Sequence, residues 1–560
     1  MPRTGADYFA EALAAYGVSR VFGNPGTTEL PITSALGESD LEYVLALHED
    51  VAVGAAAGYA TTRRYHAHGD PAVLPLGVVN LHIAPGTAHG LGNVLDASHT
   101  GAPLLVTAGD HPLGHGQREP NLAGDTVAMT EEFTKWSARV ETVATLPTML
   151  RRAVRTALTP PTGPVFLSLP LDVMRAETDA SPERLGATPD AGRGDPRQVA
   201  LAADALVAAD EPVFVVGDAV ARADAVPAAV ALAEATGARV HGEFKAAEVA
   251  FPTGHDQWGG RLPRDQSRAA ALLDADTVAL LGVVSNVPTN PVEVELVPSR
   301  ATCVQVSPSA WELGKNYVAD VAALGDPARV LRELTERVTA RLDEDERERR
   351  RSVVAEAVAR ERERDGLDVE RSARPDDPRT SVADLAAALR EVAPGARVVA
   401  EAPTSVGAVR EAYDFGPGDF FANRGGGLGY GLPAAVGAAV AERHRDDARD
   451  VVGVIGDGSY LYYPHALYTA ARESLDLTVV VVDNRNYRIL KDNTQRLFGG
   501  TDEDHEYVGM DFDPPVDFAA NAESHGATGR LVEGPDDLRP ALREAVASHG
   551  PSVVDVPVHD

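Results

Sequence analysis

The sequence predicts an α/β fold made of three consecutive domains with mainly parallel sheets. The first observation is length, because 560 residues are enough for three or four domains of roughly 150 residues each. The second is an alternation of helix-like stretches with short apolar runs, which is typical of parallel strands joined by crossover helices. The third is composition: 44% hydrophobic and 24% charged residues are close to globular averages and allow sizeable cores.

Charge and cysteine content exclude several classes of function. The 51 basic and 83 acidic residues give a net charge of −32, which repels phosphate backbones and anionic membrane surfaces, so neither nucleic acid nor a membrane is an expected partner. The single cysteine, Cys303, permits no intrachain disulfide and no thiolate metal cage.

No run approaches the ~20 apolar residues of a membrane span. The start of the chain lacks the unbroken apolar core of a signal peptide. We therefore expect a cytoplasmic protein, and the acidic, Lys-poor composition indicates salt adaptation or a high-GC source.

The first domain is expected to span residues 1–180. Four apolar runs predict its strands, at Tyr43–Leu47, Val73–Asn80, Pro103–Ala108 and Val165–Leu169. The segment from Arg175 to Pro196 is rich in Ala, Asp, Pro and Gly and is predicted to be a linker.

Two further α/β domains are expected at residues 195–342 and 379–560. Between them, residues 343–378 are dense in charge of both signs and predict a solvated helix plus a connector. The strands predicted for the two domains are Val213–Val216, Thr277–Leu281, Ala301–Val306, Arg397–Glu401, Val451–Ile455, Leu477–Val482 and Ser552–Val556.

In the third domain, polar residues follow two of the predicted strands. One strand ends in Gly456-Asp457-Gly458-Ser459 and the other in Asp483-Asn484-Arg485-Asn486. The carboxyl ends of parallel strands form the ligand crevice, so Asp457 and Asn484 are expected to share a site. Their oxygens suit Mg²⁺, and the backbone N–H groups of Gly458 and Ser459 would face a phosphate. Taken alone, GDGS is more often a β-turn.

A second group of polar residues lies in the first domain. Gly23-Asn24-Pro25-Gly26 predicts a turn, and Thr27 and Thr28 follow it. Further along, a strand runs into Glu49 at the start of a helix of small residues, where a carboxylate ordinarily stabilises the helix dipole. The small residues permit close helix contact, either within the domain or across a subunit boundary.

These segments together resemble the decarboxylase and acetolactate synthase superfamily of thiamine diphosphate enzymes, and the benzoylformate decarboxylase family in particular. The resemblance rests on GDG followed by 24 residues and a DN pair, and on GNPGTTELP, LALHED and VNLHIAPGTAHGLGN. It covers essentially the whole chain. It implies a pyrimidine-binding domain, a central domain and a diphosphate-binding domain, with thiamine diphosphate and Mg²⁺ as cofactors. It leaves open whether FAD binds the central domain.

The resemblance also implies roles for single residues. Glu49 matches the carboxylate that contacts the aminopyrimidine ring of the cofactor and favours its imino form. The metal ligands it implies are the side chains of Asp457 and Asn484 and the backbone oxygen of Asn486. The other cofactor contacts it implies are the carbonyl of Gly426, the apolar wedge Leu428, the diphosphate neighbours Gly458 and Ser459, and Tyr487.

The residues implied to handle substrate depart in part from the family. His82 matches an active-site histidine, and its reference pKa near 6.5 suits proton transfer. Thr27 replaces a substrate-binding serine and keeps the hydroxyl group. Ile489 and Asn493 replace a small residue and an aromatic wall, so a shorter or more polar 2-oxo acid than a phenyl-substituted one is expected.

Two further departures concern proton transfer and charge. The segment Val283–Glu293 occupies the place of the loop with a second catalytic histidine but contains none. Asp483 replaces the first Asn of the usual NN ending, which changes the charge beside the metal while Asn484 is kept.

Three functions remain at this stage. The first is non-oxidative decarboxylation of a 2-oxo acid, with benzoylformate as the family's default substrate. The second is a carboligase or lyase of the acetolactate synthase or benzaldehyde lyase type, which the missing second histidine keeps open. The third is a catalytically silent scaffold, against which Glu49, Asp457 and Asn484 argue. The resemblance places the cofactor between subunits, so the expected protein is a homodimer or homotetramer acting on a small 2-oxo acid or aldehyde.

Overall fold

A computed structural model describes residues 2–116, 118–284, 294–371, 377 and 379–559, and only the backbone of 364–371. Three parallel six-stranded sheets follow one another along the chain, each flanked by helices. The predicted α/β class is therefore confirmed. Among the described residues, no helix is long and apolar enough to cross a membrane.

The first sheet is built from the segment that ends near residue 180. Its strands are β1 Arg20–Gly23, β2 Glu42–Leu45, β3 Gly77–Leu81, β4 Leu104–Asp110, β5 Ser137–Arg139 and β6 Val165–Pro170. Its helices are α1 Gly5–Tyr16, α2 Leu30–Gly37, α3 Glu49–Gly69, α4 Ile83–His89, α5 Leu91–Thr100, α6 Leu113–Gly116, α7 Thr126–Glu131, α8 Leu146–Leu158 and α9 Leu171–Arg175.

The second sheet follows a stretch without helix or strand at residues 176–195, where a linker was predicted. Its strands are β7 Pro212–Val216, β8 Arg239–Gly242, β9 Trp258–Arg261, β10 Thr277–Leu281, β11 Thr302–Ser307 and β12 Val321–Leu324. The helices are α10 Pro196–Ala208, α11 Asp218–Arg222, α12 Val226–Thr236, α13 Gln266–Leu272, α14 Pro327–Thr339 and α15 Glu344–Arg371. The last of these is the predicted charged helix.

The third sheet contains β13 Arg397–Glu401, β14 Phe420–Ala422, β15 Val451–Gly456, β16 Leu477–Asp483, β17 Thr528–Leu531 and β18 Pro551–Pro557. Its helices are α16 Val382–Val392, α17 Val406–Ala412, α18 Gly431–Glu442, α19 Asp457–Tyr460, α20 Ala466–Arg472, α21 Arg488–Phe498, α22 Phe518–Ser524 and α23 Pro535–Ala547.

Strand order relates the first sheet to the third and separates both from the second. The first sheet runs β2-β1-β3-β4-β6-β5 and the third runs β14-β13-β15-β16-β18-β17, which is the same order. The second runs β12-β11-β10-β7-β8-β9, the doubly wound order of dinucleotide-binding folds. In such sheets, ligands bind at the carboxyl ends of the strands where the order reverses. These points lie between β1 and β3, between β7 and β10, and between β13 and β15.

The strands predicted from apolar runs are all present, with small shifts at their ends. The predicted strand Val73–Asn80 starts later, at Gly77. The strands that the sequence did not reveal have three or four residues each: β1, β5, β8, β9, β12, β14 and β17. Runs this short carry too few apolar residues to stand out from loops.

The backbone groups into two compact units. One contains Met1–Thr188, Asp376–Ala412 and Ala422–Asp560, and the other contains Pro189–Pro375 and Tyr413–Phe421. Within the first unit, the small residues of α3 pack against α18 of the same chain. A Cβ atom at Gly437 would lie 1.8 Å from the carbonyl oxygen of Ala55, and one at Gly58 would lie 2.0 Å from that of Ala434. The close helix contact expected for α3 is therefore made with the third domain of the same chain, and not within the first domain as one of the two alternatives had it.

Candidate functional site

His82 and the turn before Thr27 meet where the strand order of the first sheet reverses. Gly23 at the end of β1 pairs with Asn80 of β3, so the segments that leave these two strands are neighbours. A Cβ atom at Gly26 would lie 1.9 Å from Nδ1 of His82, which means that the turn approaches the ring more closely than a side chain would permit. Thr27 itself is exposed beside this contact.

A buried carboxylate that the sequence analysis missed orients His82. Nδ1–H of His82 donates to Oε2 of Glu29 at 2.8 Å, and Glu29 is fully buried. The other carboxylate oxygen accepts from the hydroxyl of Thr28 at 2.6 Å and from the backbone N–H of Ile83 at 3.2 Å. A carboxylate bound to Nδ1 fixes the imidazole tautomer, so Nε2 of neutral His82 is an acceptor. The signal in the sequence was Glu29 within GTTELP, two residues after Thr27.

The backbone directly after His82 is strained. Ile83 has φ = 33°, a conformation that is costly for a β-branched residue. Such strain is held in place by its surroundings and is common at functional sites. Here the Ile83 N–H bond to Glu29 ties the strained residue to the carboxylate that orients His82.

Glu49 is the first residue of α3 and lies against α4. Its side chain is 8% exposed, and a Cβ atom at Gly86 would lie 2.8 Å from its Oε1 and 3.1 Å from Cβ of His82. Oε1 is 3.4 Å from Nδ2 of Asn24, and Oε2 is 3.3 Å from Nδ1 of His89. Two long hydrogen bonds leave acceptor capacity on a buried carboxylate, which fits a group that receives a ring nitrogen of a cofactor.

Asp457 follows β15 in the third sheet and is buried. Oδ1 accepts the backbone N–H of Gly458 at 2.7 Å, whereas Oδ2 is buried with no hydrogen-bond partner among the described residues. Burial raises the pKa of Asp457 to about 7, and the negative charge of Asp483 adds to this. Burial, together with the charge of Asp483, likewise raises the pKa of Asp555 to about 7. A cation would satisfy this group of carboxylates, so the donor set fits Mg²⁺.

Asn484 and Asn486 lie in the turn after β16, beside Asp457. Gly456 of β15 pairs with Val482 of β16, which brings the two strand ends together as predicted. The turn is closed by two hydrogen bonds. The Asn486 backbone N–H donates to Oδ1 of Asn484 at 3.2 Å, and Nδ2 of Asn486 donates to the Asn484 carbonyl at 2.7 Å.

Tyr487 closes over the start of α19, a short helix that also contains Ser459. A Cβ atom at Gly458 would lie 2.6 Å from the Tyr487 ring, so only glycine fits this position. The ring also makes an edge contact with Phe512 at 4.8 Å between centroids.

The glycine-rich segment with Gly426 and Leu428 is held by two side chains that the sequence analysis did not identify. The Gly426 N–H donates to Oδ1 of Asn423 at 2.9 Å. Glu401 at the end of β13 accepts the N–H groups of Gly429 at 3.1 Å and Gly431 at 2.8 Å. Burial raises the pKa of Glu401 to about 8. Glu401 ends an apolar strand, which is the only signal that the sequence offers for it.

The two residues predicted for the substrate pocket share a face of α21. Ile489 and Asn493 are four residues apart on this helix and are both partly buried. Oδ1 of Asn493 accepts from Arg496 at 2.9 Å. The segment Val283–Glu293 stands where the family has a second catalytic histidine. Residues 285–293 lie outside the described residues, so the loss of this proton-transfer group stays a prediction from the sequence.

Family models match all three parts of the chain. The model for the N-terminal thiamine pyrophosphate-binding domain matches residues 3–129, that for the central domain 199–334, and that for the C-terminal thiamine pyrophosphate-binding domain 405–556.

Relatives match along almost the full length. A benzoylformate decarboxylase from Pseudomonas aeruginosa is 32% identical over 98% of this chain and 97% of its own. A catabolic acetolactate synthase from Raoultella terrigena is 26% identical over 99% and 95%. Among solved structures, the thiamine diphosphate-dependent 4-hydroxybenzoylformate decarboxylase of Rhodococcus jostii RHA1 superposes with a TM-score of 0.85, 28% identity, and coverage of 100% of this chain and 99% of that one.

Proposed function

Because the chain belongs to the thiamine pyrophosphate enzyme family, we propose that it catalyses the non-oxidative decarboxylation of a 2-oxo acid with thiamine diphosphate and Mg²⁺. One observation carries the proposal: Glu49 and His82 converge on α4, beside the turn that leads to Thr27. This arrangement puts a buried carboxylate, an oriented imidazole and a hydroxyl group in one region of the first sheet.

The cofactor would be held by residues of both thiamine pyrophosphate-binding parts of the chain. When bound, thiamine diphosphate supplies the electron sink for loss of carbon dioxide. Glu49 would hold the aminopyrimidine ring through a ring nitrogen. Asp457, Asn484 and the backbone of Asn486 would bind Mg²⁺. The N–H groups of Gly458 and Ser459 would donate to the diphosphate. The carbonyl of Gly426 would accept from the pyrimidine amine, and Leu428 and Tyr487 would pack against the rest of the cofactor.

His82 and Thr27 would act on the substrate. The Glu29 carboxylate keeps Nε2 of neutral His82 as the outward nitrogen, so that atom can take up or return a proton when carbon dioxide leaves. The Thr27 hydroxyl would bind the substrate carboxylate. Ile489 and Asn493 would line the remainder of the pocket and favour a 2-oxo acid that is shorter or more polar than benzoylformate.

We also propose that active sites form between subunits of a homodimer or homotetramer. Glu49 lies with Asn24 and His89, whereas Asp457 lies with Gly458 and near Asp483. The proposal follows the resemblance in sequence, which places the cofactor between subunits. In functional terms, residues 1–180 would bind the pyrimidine and 379–560 the diphosphate, while 195–342 would form the central domain.

We further propose that the central domain binds no flavin. The N–H of Asp218, at the start of α11, donates to Oε1 of Glu243 at 3.2 Å, and the N–H of Val284 donates to Oε2 at 3.0 Å. A dinucleotide phosphate would bind to free N–H groups at this reversal of strand order. Here the Glu243 carboxylate already accepts hydrogen bonds from the N–H groups of Asp218 and Val284.

A second candidate is carboligation, in which the decarboxylated fragment is added to a second carbonyl instead of being protonated. It is favoured by the match along 99% of the chain to an acetolactate synthase. It uses the same cofactor site, so the two functions differ in products and not in binding.

The test is carbon dioxide release from a panel of 2-oxo acids that includes benzoylformate and pyruvate, at low and high salt, with and without thiamine diphosphate and Mg²⁺. We expect cofactor-dependent release that Glu49→Gln abolishes and that Asp446→Asn, a change at an exposed residue after α18, leaves intact. Aldehyde product would establish decarboxylation, and acyloin product would establish carboligation. The absence of release from every acid, with cofactor bound, would contradict the decarboxylase assignment.

A further inference from the structure

Glu49 has a neighbour that connects it to solvent. Oε2 of Glu49 is 3.3 Å from Nδ1 of His89, the last residue of α4. The Glu49 side chain is 8% exposed and that of His89 is 59% exposed. The pair therefore joins a buried carboxyl group to an imidazole whose other edge reaches water.

A second imidazole orients the ring of His89. The His48 ring stacks on it with 5.3 Å between centroids and 25° between planes. The backbone N–H of Asp50 donates to Nδ1 of His48 at 3.1 Å, so neutral His48 carries its proton on Nε2. Burial lowers the pKa of His48. His48 is thus suited to be an uncharged stacking partner.

The same residues have the spacing of a metal centre but not its orientation. His48, Glu49 and His89 offer ligand atoms within 4.8 Å of one another. However, Nδ1 of His48 is used as an acceptor for the start of α3, which leaves its other nitrogen protonated. In addition, the lone pairs of stacked imidazoles lie in nearly parallel planes and do not converge on one ion. The geometry favours proton exchange over metal binding.

We propose that His89 is the proton-transfer partner of Glu49, carrying protons between this buried carboxyl group and solvent. The inference rests on the proposed role of Glu49. In the outward direction, the O–H bond at Oε2 breaks and an N–H bond forms at Nδ1 of His89. The imidazolium then releases the proton on Nε2 to water. The reverse sequence returns a proton to Glu49, so no other reactant is needed.

The groups around this pair do not replace His89. Burial lowers the pKa of His465, whose ring is 5.9 Å from that of His48, and raises the pKa of Tyr463. The nearby Asp50 binds the hydroxyl of Tyr463 at 2.8 Å. The titratable groups that face the pair are His48 before α3, Asp50 on α3, Tyr43 on β2, His82 before α4, and Tyr463 and His465 before α20.

The test separates proton transfer from support of the fold. In the holoenzyme, exchange of the cofactor's C2 hydrogen for deuterium is followed by acid quench and NMR in wild type, His89→Ala and His89→Asn. His99→Asn is the matched control, because His99 is likewise exposed in the last turn of the next helix. Cofactor affinity is measured by calorimetry.

We expect both His89 variants to slow exchange about tenfold or more at unchanged cofactor affinity. Added imidazole should restore the rate of His89→Ala, and His99→Asn should match wild type. Wild-type exchange in the His89 variants would overturn the proposal, as would slow exchange that imidazole does not restore. Glu49→Gln should stop exchange. If that variant exchanges normally, the proposed role of Glu49 fails, and this outcome is distinct from failure of His89 alone.

Discussion

The second and third sheets both end in crevices with buried carboxylates, but the charges are compensated in opposite ways. In the second sheet, Asp218 accepts the N–H groups of Ala247 at 3.1 Å and Glu248 at 3.0 Å and pairs with Arg222 at 3.1 Å. In the third sheet, Asp483 pairs only with the exposed Arg485 at 3.6 Å, and its charge raises the pKa of the neighbouring Asp457, whose Oδ2 has no hydrogen-bond partner among the described residues. A carboxylate with partners in the chain, such as Asp218, stabilises the fold. Carboxylates that repel one another, such as Asp457 and Asp483, are stabilised when they bind a metal cation.

The largest expected effect is on the fold of the second sheet. Asp218→Ala removes one partner of a buried ion pair and leaves Arg222 and two backbone N–H groups without it. We expect a loss of about 3–5 kcal/mol in the free energy of unfolding, measured by denaturant titration. Mg²⁺ affinity should not change. Unaltered stability would show that this carboxylate does not hold the crevice together.

The corresponding change in the third sheet should act on binding. Asp457→Asn removes the charge of the proposed metal ligand, and we expect Mg²⁺ affinity to fall about 100-fold or more, measured by calorimetry with thiamine diphosphate present. The metal-free protein should keep its stability, because the substitution also relieves repulsion. If the variant without metal unfolds much more easily but binds Mg²⁺ normally, Asp457 has the same structural role as Asp218 and is not a metal ligand.

A smaller effect is expected at the neighbouring carboxylate. Asp483→Asn restores the residue usual in the family motif and removes a charge beside Asp457. We expect Mg²⁺ affinity to fall about tenfold and the metal-free protein to become slightly more stable. The same calorimetric and denaturant titrations test both parts. Tighter Mg²⁺ binding would contradict the idea that Asp483 contributes attraction to the metal.

The smallest effect concerns pH and the buried carboxylates of the first compact unit. Burial raises the pKa of both Asp50 and Asp96 to about 6 and that of Glu401 to about 8. These folded-state values lie above the unfolded ones, so the stabilisation is complete below about pH 4 and is lost as pH rises through 6 to 8. Asp96 alone should account for about 0.4 kcal/mol of this loss between pH 6 and 8, beside about 2 kcal/mol from Glu401.

That pH dependence is measured by denaturant titration at high salt, which screens the general repulsion of the acidic surface. Asp96→Asn should lose about 0.4 kcal/mol less than wild type over this range, whereas Asp70→Asn, a change just after α3, should lose as much as wild type. Stability that rises between pH 6 and 8 would contradict the assignment.

The sequence predicts the part of the site that depends on strand ends. Asp457 and Asn484 were expected together because parallel strands place their carboxyl ends at one edge, and β15 pairs with β16. Glu29, Glu401 and His89 were not predicted, because each acquires its partner only through tertiary packing. Glu29 meets a histidine 53 positions away, and His89 meets a carboxylate 40 positions away.

The most direct measurement is a calorimetric titration of the cofactor-free protein with thiamine diphosphate, with and without Mg²⁺, and separately with FAD. If the third crevice requires a cation and the second is closed by Glu243, thiamine diphosphate should bind one per chain only when Mg²⁺ is present. FAD should give no binding heat. Binding of thiamine diphosphate without any divalent cation, or binding of FAD, would contradict this distinction between the two crevices.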